Sequence, residues 1–127
     1  MLLHEAETLL SRGRGADPCG YKTKKIANNT YLVERDEGVA VRLHKTDIVL
    51  FKMNGSVVLN SNGWRTITTK KRMNSYLPSW IGVYQLKGKW YVLVRSEVGE
   101  IKRYFFKDYM EITQDSRVYG TFLHIFE

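Results

Sequence analysis

The sequence predicts a mostly β (α+β) single domain: an antiparallel, strongly bent sheet or small barrel, with a short N-terminal helix and one short central helix. Three observations lead there. Apolar runs of strand length recur between Gly, Asn and Asp turn signals along most of the chain. Two Asn-Gly pairs, Asn54-Gly55 and Asn62-Gly63, sit among those runs, and both residue types tolerate the positive φ of a tight hairpin turn. Helical spacing of apolar residues is confined to two brief stretches.

The elements follow in order. Residues 1–10 place Leu2, Leu3, Ala6, Leu9 and Leu10 at helical spacing, with Glu5, Glu7 and Thr8 between them. Residues 11–27 read as a basic flexible linker, because SRGRGADPCG breaks the pattern and Lys22, Lys24 and Lys25 follow it. A meander plus helix is expected over 28–78: strands at Tyr31–Arg35, Val39–Leu43, Asp47–Met53, Ser56–Asn60 and Trp64–Thr68, then a helix at Lys70–Leu77 capped by Thr68-Thr69 and stopped by Pro78. A two-residue loop at Asn54-Gly55 would pair Phe51 with Val58 and Leu50 with Leu59. That hairpin would be apolar on both faces and lie mid-sheet. The second hairpin half, 79–127, is expected to hold Gly82–Leu86, Lys89–Val94, Ile101–Phe106, Asp108–Ile112 as strand or helical turn, and Arg117–Phe126.

The totals bound the function classes. A chain of 127 residues suits one domain with its own core. No apolar run reaches the roughly 18 residues of a membrane span, and the N-terminus lacks the basic n-region of a secretory signal. One cysteine, Cys19, excludes an internal disulfide framework, and the three histidines show no metal-ligand spacing with it. No cofactor is expected. The excess of 20 Lys and Arg over 13 Asp and Glu, +7 overall, favours a polyanionic partner.

Within the central stretch, Asn29-Thr30-Tyr31, Val41-Arg42-Leu43-His44, Thr46-Asp47, Leu59-Asn60, Gly63-Trp64 and Thr66-Ile67-Thr68-Thr69, followed by Arg72 and Asn74, form a block. It resembles a block in uncharacterised small proteins of bacteriophages and mobile elements. The resemblance brings no fold or activity with it. It implies a phage or prophage product acting in the cytoplasm of a bacterial host, where small basic proteins handle nucleic acid or blunt host defences.

Three constellations could carry chemistry. At Thr69, Lys70, Lys71 and Arg72, a helix N-terminus would aim N–H groups, a hydroxyl and cations at a phosphate, with Lys22, Lys24 and Lys25 assisting. The bland alternative is a solvated helix face. On the later strands, Trp90, Lys102, Arg103 and Tyr104 alternate rings with cations, as surfaces that stack bases do, although strand aromatics are also ordinary core. Around the corner after Arg42, His44 could act as a general base oriented by Asp47, or Asp47 could simply satisfy the turn.

The leading expectation is non-enzymatic nucleic-acid binding through a basic face that includes Arg42. The alternative is an anti-defence inhibitor that grips a host nucleoprotein complex, such as a CRISPR or nuclease assembly. The third is a metal-independent nuclease built on His44. Partners are nucleic acid or such a complex, without a membrane, and a homodimer through an uncapped sheet edge is open.

Overall fold

The computed structural model describes residues 1–124. The elements run α1 (Leu3–Ser11), β1 (Gly15–Ala16), β2 (Lys22–Ala27), β3 (Thr30–Arg35), β4 (Gly38–Leu43), β5 (Thr46–Lys52), β6 (Val57–Leu59), α2 (Ile67–Tyr76), β7 (Ile81–Leu86), β8 (Lys89–Arg95), β9 (Ile101–Phe105), β10 (Met110–Ile112) and β11 (Val118–Tyr119). An eight-stranded antiparallel sheet has the order β1-β2-β3-β4-β5-β6-β10-β11, and a three-stranded one has the order β7-β8-β9. The large sheet is open, with β1 and β11 at its edges, so the expected mostly β antiparallel fold is present without a closed barrel.

Packing explains the arrangement. Leu32, Val41, Val49, Leu59 and Met110 are cross-strand neighbours in one row over five strands, and each is fully buried. A second row, Val39, Phe51, Val57 and Ile112, lies beside it on the same face. Onto these rows pack Ala6 and Leu10 of α1, Met73 of α2, and Val83, Trp90, Val92 and Val94 of the small sheet, in one continuous core. Each Val, Leu, Ile, Phe or Met among them contributes about 1.5–3 kcal/mol by leaving water.

Several expectations change. The 11–27 segment contains two strands, and β2 pairs along β3, so Lys22, Lys24 and Lys25 sit on a sheet rather than a flexible arm. The loop after β5 is Met53-Asn54-Gly55, with the Gly55 N–H on Lys52 O and Gly55 at φ +87, so Phe51 faces Val57 and Leu50 faces Val58. Loops of this length place a left-handed residue last, and the extra residue slips the pairing by one. Val49, Phe51, Val57 and Leu59 therefore fill the core, while Leu50 and Val58 are half-buried on the other face.

Asn62-Gly63 does turn the chain, with Trp64 N–H on Ser61 O, but it leads into a helix and not a strand at Trp64–Thr68. Thr66 is the N-cap: its hydroxyl accepts from the Thr69 N–H at 3.1 Å, so α2 starts before the expected Lys70. Leu77 is extended ahead of Pro78, as the proline ring requires. The expected last strand divides between β11 and a bridge from Leu123 to Tyr104, and its final residues lie outside the described ones.

The small sheet's edges are occupied. The Asn74 side-chain amide donates to Val83 O (2.7 Å) and accepts from Val83 N–H (2.8 Å), standing in for a neighbouring strand on β7. On β9, Phe105 N–H donates to Phe122 O and His124 N–H to Arg103 O. At these positions the edge backbone groups of the small sheet are already hydrogen-bonded within the chain.

Gly38 begins β4 where a Cβ would stand 1.8 Å from Phe51 O, whereas a Cβ at Gly63 (φ +78) would meet no atom within 4 Å. Gly38→Ala is expected to cost about 3 kcal/mol or more, because the backbone of β5 must move. Gly63→Ala should cost only the left-handed penalty of about 1–2 kcal/mol. Urea unfolding of both variants checks the difference.

Candidate nucleic-acid interface

Antiparallel pairing sends successive turns to opposite ends of the sheets, and the sequence places different charges on the two sets. One end gathers the β3–β4 turn with Asp36 and Glu37, the β8–β9 turn with Glu97 and Glu100, and Asp115. A groove of about 600 Å³ at this end is lined jointly by Leu3, Glu7, Met53, Trp80, Glu97 and Ser116. The other end gathers the turns at Asn28-Asn29, His44-Lys45 and Lys87-Gly88, the 60–66 loop, the start of α2 and residues 106–109.

This second end is basic. Lys25, Tyr31 and Arg42 are cross-strand neighbours on β2, β3 and β4, with the Arg42 guanidinium 5.2 Å from the Tyr31 ring centre. Arg42 Nε is buried and has no hydrogen-bond partner among the described residues. Arg72 donates from Nε to Thr30 Oγ1 at 3.1 Å, which ties α2 to the start of β3. Lys70 Nζ reaches Gln85 Oε1 at 3.4 Å, bringing α2 beside the β7–β8 turn with Lys87 and Lys89. Arg65 lies over the Phe106 ring at 5.1 Å. The ion pairs among the described residues involve Arg35, Lys52 and Arg117, none of which belongs to this set.

The carboxylates on the segments that build this end are engaged internally. Asp47 receives the Arg35 guanidinium at 2.9 and 3.0 Å, across Ala40 of the strand between them. Asp108 accepts from Ser61 Oγ (2.6 Å), Ser61 N–H (2.8 Å) and Gly63 N–H (3.2 Å). Burial opposes the charge on Asp108, but these hydrogen bonds and the nearby Arg65 outweigh it and hold its pKa below the ordinary aspartate value.

The sequence-derived residues separate accordingly. Lys25, Arg42, Lys70, Lys71 and Arg72 share the basic end. Thr69 is 3% exposed with its hydroxyl on Thr66, so it offers nothing to a phosphate. The cations are not convergent on the helix N-terminus either, because α2 begins three residues before Lys70. Lys22 donates to Ser11 O at the C-terminus of α1, and Lys24 shares its face of β2. Trp90 is 5% exposed in the core against Phe106, and stacks no base. Tyr104 packs against that core. Arg103 lies on the small sheet's far face over Tyr84 and Tyr91, and Lys102 lies next to the acidic β8–β9 turn.

His44 is exposed in a left-handed turn (φ 54), with its N–H on Asn29 O. Asp47 is hydrogen-bonded to Arg35, and among the described residues it makes no hydrogen bond to His44. The side chains that sequence reasoning missed are Trp64, 68% exposed, and Tyr109, 70% exposed, both on connections at the basic end. The signal available was the turn pair Asn62-Gly63 directly before Trp64, which puts the ring on a connection. Reading Trp64 as the start of a strand hid it.

Fold and charge together define a small antiparallel β protein with a basic end. The Kyanoviridae Gp96 protein family model matches residues 20–114, from β2 through β10, and the chain belongs to that phage family. No curated protein and no solved structure matches it. Among the described residues, no helix is long and apolar enough to cross a membrane.

Asp108 sets a pH dependence. Its folded pKa lies below the ordinary 3.8, so its stabilisation is complete above that value and disappears as pH falls through the lower folded pKa. Asp108→Asn should destabilise the protein by about 2 kcal/mol at pH 7 by weakening charged hydrogen bonds. It should also show a shallower stability loss between pH 5 and acid, measured by urea unfolding across pH.

Proposed function

We propose that this protein binds nucleic acid without catalysis, through the basic end. The observation that carries the reading is the segregation of charge. Lys25, Arg42, Lys45, Lys70, Lys71 and Arg72 stand where Asp47 and Asp108 are engaged internally, and most other carboxylates lie at the opposite end. A phosphate backbone crossing this end would meet long, rotatable cations. Membership of a phage family suits such a role inside an infected cell.

The test is a salt-titrated binding assay with DNA and RNA oligonucleotides. The double variant Lys70→Glu, Lys71→Glu should weaken binding at least about tenfold and lower the log–log salt slope by about 2. Lys22→Glu, Lys24→Glu, on the face of β2 that meets α1, should leave affinity within about twofold by the same logic. Equal effects of the two variants would remove the basic end as the site. Absence of binding to every oligonucleotide at low salt would favour a protein target, the anti-defence alternative.

A further inference from the structure

We propose, on the basis of the basic-end reading, that the ligand is single-stranded nucleic acid, held by stacking of unpaired bases on Trp64 and Tyr109. Cations alone grip the phosphates of duplexes and single strands alike. What separates the two is a ring that a splayed base can cover, and duplex bases are already stacked on each other.

Trp64 and Tyr109 are 68% and 70% exposed, although both rings carry large apolar surface that folding ordinarily hides. Their backbones are pinned. Trp64 N–H donates to Ser61 O and Trp64 O accepts from Thr66 N–H, each at 2.9 Å. Tyr109 N–H donates to Leu59 O at 2.7 Å, and the residue holds a left-handed φ of +67, uncommon for a bulky side chain. One carboxylate governs both. Asp108 precedes Tyr109 in the chain and clamps the Ser61–Gly63 turn that precedes Trp64. An exposed ring on a fixed backbone loses little conformational freedom when a base covers it.

The surroundings suit a nucleotide. Tyr109 lines a groove of about 510 Å³ with Lys45, Asn60 and Asn62. Its wall also holds Glu37 and the carboxylates of Asp47 and Glu111, the last two paired with Arg35 and Lys52, so Lys45 is left as a cation for phosphate and the two amides for base edges. Trp64 leads into α2, whose first turns expose Ile67, Thr68 and Lys71. Two exposed rings thus stand at the end that carries the cations, the combination that holds single strands.

The experiment compares oligo-thymidine, oligo-uridine and a DNA duplex of equal length, at one salt concentration, against wild type, Trp64→Ala, Tyr109→Ala, Trp64→Phe and the double alanine variant. Wild type should bind single strands at least about tenfold tighter than duplex, and each alanine variant should lose about tenfold on single strands. Duplex affinity should stay within about twofold, and Trp64→Phe should recover part of the loss because its ring still stacks. Intrinsic fluorescence should be quenched by oligo-thymidine in wild type and not in Trp64→Ala, since Trp90 is buried and Trp80 half-buried. Circular dichroism confirms folding.

Unchanged single-strand affinity in the double alanine variant, while Lys70→Glu, Lys71→Glu still weakens binding, overturns stacking and leaves the basic end standing. Duplex bound as tightly as single strands also overturns it. Absence of binding to all three oligonucleotides overturns both readings.

Discussion

The row Leu32, Val41, Val49, Leu59 and Met110 is the constraint on which the molecule depends. Five fully buried side chains from five strands must stand side by side, and the period of two along each strand leaves one register that achieves this. A slip of one residue in any strand would turn apolar side chains outward and bring polar ones into the core. Because the register is set, the strand ends are aligned, and with them the turns. The basic end is therefore a consequence of core packing: Asn28-Asn29, His44-Lys45 and the 60–66 loop are neighbours because the row beneath them closes.

The outer face of the large sheet and the rims of the small one are handled differently from the core. Ala40 is fully buried beneath the Arg35–Asp47 pair, which crosses it from β3 to β5, and Lys52 joins Glu111 at 2.9 Å across β6. Half-buried pairs of this kind, still in contact with water, contribute modestly individually. Their larger effect is on the distribution of charge, since they consume the acids nearest the cations. Asn74 acts likewise for backbone polarity: one amide satisfies the free edge of β7 and also fixes how α2 leans on the small sheet, which decides where Lys70 and Lys71 project.

Asp108 links this framework to the candidate interface. It is a partly buried carboxylate whose three acceptor contacts all lie in the turn that presents Trp64, and its chain neighbours are Lys107 and Tyr109. The stability of that turn and the presentation of the two rings therefore rest on one ionised group. His44 shows the converse. A histidine and an aspartate three residues apart suggest chemistry, but the bulge between Val41 and Arg42 and the pull of Arg35 direct Asp47 elsewhere.

Local signals determined a great deal on their own: the antiparallel β class, the N-terminal helix, most strands of both hairpin halves, the turn character of both Asn-Gly pairs, and the block that marks a phage family. These depend on nearest-neighbour chemistry, on alternation and on positive-φ tolerance, all of which are written within a few residues. Tertiary structure alone decided the rest. It placed Trp90 inside and Trp64 outside, recruited Lys22 to the end of α1, and separated Arg103 from Lys70. Each of those outcomes turns on which distant backbone or side chain competes for the same space or hydrogen bond, and that competition exists only once the two sheets have closed on a common core.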